Sequence, residues 1–205
     1  MSGSERPLVL ILSLEHQPWF DELYERIINR VAAVSTIRRA RNWETASDCL
    51  ASNPRAILII DAGIVRPRYL TFYNNTILPY VRRGGTAVCM GAFSSFVRPS
   101  ELKRFFSRAG LPWESGDYTR EDTLLNPTAV GESSVPLWPS YSQKALYVKN
   151  VAPEANWYAR NQSWNGDQAA VACAKVGEGK FAYVGDVNLE VATDAVVLAL
   201  CGLTG

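Results

Sequence analysis

The residues of this chain that could do chemistry are few, and they fall at the ends of apolar runs. Cys89 lies in Gly84-Gly85-Thr86-Ala87-Val88-Cys89-Met90-Gly91-Ala92-Phe93-Ser94-Ser95, which reads as a buried strand ending in a small-residue turn. A cysteine attacks as its thiolate, so it needs an imidazole or a cation close enough to lower its pKa. The one histidine is His16, preceded by Glu15, at the end of a different apolar run. Asp61 ends a third run, and Asp186 and Asn188 follow the last. Glu15, His16, Asp61, Phe93, Ser94, Asp186 and Asn188 form the candidate ligand-binding set, with Ser95 beside them. The same types have plainer uses: Asp and Asn cap helices, serines satisfy loop amides, and a lone histidine is often a hydrogen-bonded filler.

For these residues to meet, the runs must be neighbouring strands of one sheet. Leu8 to Leu14 and Ala56 to Ile60 are continuously apolar, as strands buried on both faces are. Between them, Pro18 opens a helix whose apolar face carries Trp19, Leu23 and Ile27 with Phe20, Tyr24, Ile28 and Val31. Val34 to Arg39 reads as a short strand, and Asn42 caps a helix whose apolar positions are Trp43, Ala46, Cys49 and Leu50. Tyr69, Tyr73, Ile77 and Val81 repeat at spacing four, and Pro79 should kink that helix or restart it. Thr86 to Met90 is the fourth strand. Pro99-Ser100-Glu101 opens a helix with Leu102, Phe105, Phe106 and Ala109 inward, stopped by Gly110 and Pro112. Strands and helices alternating at this interval predict an α/β protein with a parallel sheet covered on both faces.

Residues 111–168 break the pattern. They carry Pro112, Pro127, Pro136, Pro139 and Pro153 and the tryptophans Trp113, Trp138, Trp157 and Trp164. Short strands fit Thr123-Leu124-Leu125 and Ala145-Leu146-Tyr147-Val148. The aromatic content predicts a packed irregular segment that caps one end of the sheet. Ala169 to Val176 and Lys180 to Val184 then flank Gly177-Glu178-Gly179, a β-hairpin in which glycine supplies positive φ. A helix with Val191, Ala195, Val196, Ala199 and Leu200 closes the chain at Gly202.

The hairpin Val176-Gly177-Glu178-Gly179-Lys180-Phe181-Ala182-Tyr183-Val184-Gly185-Asp186, followed by that helix, resembles the class I glutamine amidotransferase-like superfamily. Gly-Gly-Thr-Ala-Val-Cys-Met-Gly after a long helix is similar to the strand leading to that superfamily's nucleophile turn. The resemblance implies one flavodoxin-like domain over 1–205, a three-layer α/β/α sandwich whose mostly parallel sheet ends in an antiparallel hairpin. In the superfamily's enzymes a Cys on a tight strand-to-helix turn is activated by a His, which an acidic residue orients. Two registers of the turn fit. In one, Ala87-x-Cys89-x-Gly91 is the elbow. In the other, favoured because a good helix start already exists at Pro99-Ser100, Gly91 opens the turn and Phe93 takes the nucleophile's place.

The superfamily's His comes late in the chain, where this sequence has none. The expectation is therefore an amidotransferase-like domain without the Cys-His-Glu triad, a pseudoenzyme with Cys89 as a buried structural thiol. It would bind a small molecule or a protein partner at the carboxyl edge of the sheet. The alternative is a hydrolase or amidotransferase-type enzyme using Cys89 or Ser94, with His16 as base and Glu15 or Asp61 orienting it.

Composition bounds the partners. A length of 205 residues suits one well-cored domain, and 47% hydrophobic with 20% charged residues is ordinary for a globular chain. A formal net charge of +1 supplies no electrostatic argument for nucleic acid or membrane. The clusters Arg38-Arg39 with Arg41, and Arg82-Arg83, read as solvated surface. The polar start and short first run do not read as a signal peptide or a span. Cys49, Cys89, Cys173 and Cys201 lack metal spacing and sit among apolar neighbours, as thiols in a reducing, cytoplasmic compartment would. The sequons Asn74-Asn75-Thr76 and Asn161-Gln162-Ser163 read as chance matches without such a signal. No zinc, calcium or phosphate-loop pattern is present, so no metal or cofactor is expected. A homodimer stays open, with no heptads or long apolar edge to favour it.

Overall fold

The apolar runs form strands because only a position covered on both faces removes every side chain from water. A computed structural model describes residues 6–133, 135–160 and 168–204. The second sequon, Asn161-Gln162-Ser163, and Trp164 lie outside the described residues. Strands β1 (Leu8–Leu12), β2 (Thr36–Ala40), β3 (Ala56–Ile59) and β4 (Thr86–Cys89) are parallel, in the order β2-β1-β3-β4. Helices α1 (Phe20–Leu23) and α2 (Glu25–Val34) connect β1 to β2, and α3 (Trp43–Ala51) connects β2 to β3. The Asn42 side chain caps α3, accepting from the Thr45 N–H at 2.8 Å. Before β4 come α4 (Leu70–Phe72), one π-helical turn at Tyr73–Ile77, and α5 (Leu78–Arg82). Pro79 lacks an N–H, and the widened turn just before it is where the helix restarts.

Beyond β4 come α6 (Ala92–Phe96) and α7 (Pro99–Arg108). The expected irregular cap is then replaced by strands: β5 (Glu114–Leu125), β6 (Ser140–Lys149) after α8 (Pro127–Val130), β7 (Asn156–Arg160) and β8 (Gln168–Ala169). Finally β9 (Val171–Val176) and β10 (Gly179–Val184) form the hairpin, with φ of 62° at Gly177, and α9 (Val191–Leu200) follows. β10 lies parallel to β4, and outward from it β9, β7, β5, β6 and β8 are antiparallel to their neighbours. The sheet is thus α/β but mostly antiparallel, which corrects the expectation of a mostly parallel one.

The expected short strands Thr123-Leu124-Leu125 and Ala145-Leu146-Tyr147-Val148 lie within β5 and β6, but the first part of β5 hides from a hydrophobic reading because five of its residues are charged. Its charges are met by distant partners: Arg160 pairs with Asp117 at 2.8 Å and Glu121 at 3.1 Å, and Arg120 pairs with Glu190 at 2.8 Å. β6 does alternate, burying Tyr141, Gln143, Ala145 and Tyr147.

Side chains leave each strand alternately up and down, so the parallel strands feed two cores. Leu10, Leu12, Ile57, Ile59, Cys89 and Phe181 pack with α3, α5 and α7 on one face. Val9, Ile11, Leu58, Val88 and Ala182 pack with α2 and α9 on the other. No helix among the described residues is long and apolar enough to cross a membrane.

Candidate functional site

The carboxyl ends of β1, β3 and β4 meet at one edge of the sheet, where open α/β sheets place ligands. At the end of β4 the chain turns sharply into α6 through Gly91, with φ 63° and ψ −125°. This is backbone that a side chain adopts only under strain. A Cβ built on Gly91 would stand 3.0 Å from Cζ and 3.1 Å from the hydroxyl oxygen of Tyr24. The sharp turn therefore carries no side chain, and the ring of Tyr24 fills the space where one would project. Burial pushes the Tyr24 phenol up to about 12, against a backbone hydrogen bond from Ala92 that lowers it.

Neither predicted register puts a working group there. Cys89 lies inside β4, fully buried, and loss of hydration pushes its thiol well above the usual cysteine value. Gly91 opens the turn, as in the favoured register, but Phe93 does not take the nucleophile's place: it is already within α6, buried with Phe105 at 5.5 Å and Phe106 at 6.4 Å. Ser94 is buried, its hydroxyl 3.0 Å from the Gly91 carbonyl and 3.1 Å from that of Val184, which ties α6 to β10. Iodoacetamide near neutral pH should leave Cys89 unmodified until the protein is denatured, as mass spectrometry of the labelled peptides would report. Rapid native labelling would mean an accessible, activated thiol.

Asp61, 3% exposed at the end of β3, accepts from the Ser13 hydroxyl at 2.6 Å, the Glu15 N–H at 3.1 Å and the Gly63 N–H at 2.8 Å. Burial raises its pKa and these donors oppose the rise. The bonds also lock the loop after β1 to the loop after β3. His16 stands behind them, with Nδ1 3.5 Å from the Ser13 hydroxyl and Nε2 3.9 Å from Asp21. The Ser13 proton is directed at Asp61, so His16 faces a lone pair rather than a proton it could take. His16 also neighbours Ile11, Ile28 and Ile60 of one core, while Cys89 packs in the core on the opposite face.

In front of Asp61 opens a crevice of about 360 Å³ lined by Glu15, Gln17, Trp19, Phe20, Arg66 and Phe96 among others. Arg66 is its organiser. Nε and Nη2 hold Glu15 at 3.1–3.3 Å, and Nη1 holds both oxygens of Glu101 at 2.9 and 3.0 Å. Trp19 and Phe96 stand at the mouth, 42% and 56% exposed, with ring centroids 6.2 Å apart.

Of the predicted set, the crevice gathers Glu15 and Asp61. Asp186 and Asn188 are not among its walls. Asp186 is fully buried and accepts from the N–H groups of Asn188 at 3.1 Å and Glu190 at 2.6 Å and from the Thr193 hydroxyl at 2.5 Å, holding the entry to α9. Sequence reasoning missed Arg66, whose partners come from distant loops and helices with no local signal. It placed Trp19 and Leu23 inward, whereas the break between α1 and α2 at Tyr24 leaves both exposed and turns Phe20 and Tyr24 in. Among the described residues no three His, Cys, Asp or Glu side chains gather to hold a metal.

This arrangement of sheet, elbow and closing helix is a fold shared with two solved ThuA-like proteins. In particular, the chain is similar to a ThuA-like protein from Bacteroides uniformis, with TM-score 0.59 and 11% identity over 97% of this chain and 91% of that one. It is also similar to a β-galactosidase from Bacillus circulans sp. alkalophilus, with TM-score 0.60 and 12% identity over 98% of this chain. The chain spans 32% of that β-galactosidase, about a third of its length. No family model and no curated protein matches the sequence. At these identities the likeness is one of fold.

Proposed function

We propose that this chain is a non-catalytic amidotransferase-like domain that binds a small molecule, or a side chain of a protein partner, in the crevice organised by Arg66. The observation that carries the reading is Gly91: the elbow has no side chain, and Tyr24 occupies the space. Cys89 and Ser94, the two candidate nucleophiles, are buried and packed. The exposed rings of Trp19 and Phe96 supply apolar contact, and Glu15, Gln17 and Arg66 supply orienting polar groups, a common division of labour in ligand pockets. Four free, buried cysteines support a reducing compartment such as the cytoplasm.

The test combines binding and reactivity. A fragment library screened by two-dimensional amide NMR should give hits whose shifts cluster at residues 15–20, 61–66 and 92–96. Trp19→Ala and Phe96→Ala should each weaken them by about tenfold, roughly 1.4 kcal/mol. A fluorophosphonate probe should label no serine of the native protein. Labelling of Ser94 that is lost in His16→Ala would replace the proposal with the hydrolase reading, and hits that ignore both aromatic variants would remove the crevice as the site.

A further inference from the structure

A second concavity lies on the other side of the Arg66–Glu101 pair, between the chain leading into α4 and the outer face of α7. In α7 the positions Glu101, Arg104, Phe105 and Arg108 fall at i, i+3, i+4 and i+7, one helical face. That face looks across a cavity of about 250 Å³ to Ile64, Val65 and Leu70. Its floor is apolar. Phe105 stacks on Tyr73 with centroids 4.4 Å apart, and the Tyr73 hydroxyl is spent on the Phe105 carbonyl at 3.0 Å. Leu70 remains 36% exposed at the rim.

The charge at this rim is unbalanced. The Glu101 carboxylate is taken by Arg66 on the crevice side. Among the described residues Arg104, Arg108 and Arg82 have no acidic partner. Arg108 donates to the Arg104 carbonyl at 3.0 Å, and Arg82 to the Arg108 carbonyl at 3.3 Å. Cations are favoured at a helix carboxyl end, which accounts for an arginine being tolerated here, but neutral carbonyls leave the guanidinium charge uncompensated. Burial holds the Tyr73 phenol on the floor well above its ordinary value, and the nearby charges of Arg108 and Arg82 oppose that rise without reversing it.

We propose that this groove is a binding site, separate from the crevice, for a monocarboxylate with a short apolar body. A hydrocarbon chain covers Leu70 and the half-buried Val65, and the carboxylate meets Arg104 and Arg108, whose planar forks suit a two-oxygen acceptor. The volume lies below the range of about 300–1,000 Å³ usual for drug-sized ligands, so the body is small.

Octanoate is the probe, with octan-1-ol and inorganic phosphate as controls, titrated calorimetrically into the full chain. The expected result is one octanoate per chain, bound at least about tenfold more tightly than either control. Arg104→Met and Arg108→Met should each weaken octanoate by about tenfold, and Leu70→Asp should abolish binding. All three residues are exposed, and the two arginines lack ion pairs, so their variants should fold. Trp19→Ala, in the crevice, should leave octanoate affinity unchanged. Equal binding of octan-1-ol would reduce the groove to an apolar patch, and equal binding of phosphate to a basic one. Sensitivity to Trp19→Ala with insensitivity to both arginine variants would move the ligand to the crevice. Each of these overturns the proposal.

Discussion

Gly91→Ala is expected to destabilise the protein by about 2–4 kcal/mol, measured by urea unfolding. Two costs combine. A non-glycine residue held at φ 63°, ψ −125° is strained by about 1–3 kcal/mol. Its new Cβ also meets the buried Tyr24 ring at 3.0–3.3 Å, a small overpacking whose cost depends on whether the ring can give way. The second cost separates the reading of the elbow from ordinary glycine loss. In a Tyr24→Ala background the ring contact is gone, so Gly91→Ala should cost only the backbone strain, leaving a coupling of about 1 kcal/mol between the two sites. Additive effects would mean that Tyr24 does not fill the elbow, and the argument against a nucleophile position would lose its physical basis.

Asp186→Ala is the other large effect. It removes the acceptor of three donors from a fully buried carboxylate: two part-buried backbone N–H groups and the buried Thr193 hydroxyl. Buried donors left unsatisfied cost about 1–3 kcal/mol each and do not add fully, so the expected loss is about 3–5 kcal/mol. If Asp186 only fixes the turn into α9, crevice ligands should keep their affinity wherever the variant is folded. A folded variant with unchanged stability and lost binding would make Asp186 a ligand residue instead.

The pH dependence of this loss has a definite sign. Burial is the largest influence on the Asp186 carboxyl and holds its pKa above the ordinary aspartate value. The folded state therefore keeps the proton to higher pH than the unfolded chain, and the group's contribution to stability falls as pH rises through that window. The stability gap between the parent and Asp186→Ala should thus be wider below the window than at neutral pH.

Several features were legible because they depend on neighbours along the chain. The apolar runs at β1 and β3, the Asn42 cap, the start of α7 at Pro99 and the turn at Gly177 all rest on local pattern, and each stands where that pattern put it. Pro79 announced a disturbed helix for the same reason. The strand ends that carry Glu15 and Asp61 followed from those runs, and with them the place of the crevice. Of β5 only the end, Thr123-Leu124-Leu125, was legible; its charged first part lacks an apolar alternation, and its pairing with β6 and β7 and its contacts to Arg160 and Glu190 involve residues far along the chain.

By itself, then, the sequence determined that the chain builds an α/β sheet with Glu15 and Asp61 at one edge, since strand burial and helix boundaries are written in nearest-neighbour chemistry. Tertiary structure alone decided how the antiparallel strands outside the β9–β10 hairpin pair, the joining of Glu15 to Glu101 through Arg66, and the filling of the Gly91 elbow by Tyr24. Each of those depends on side chains tens of residues apart meeting in space. Their contact energies act only after the sheet has brought the loops together.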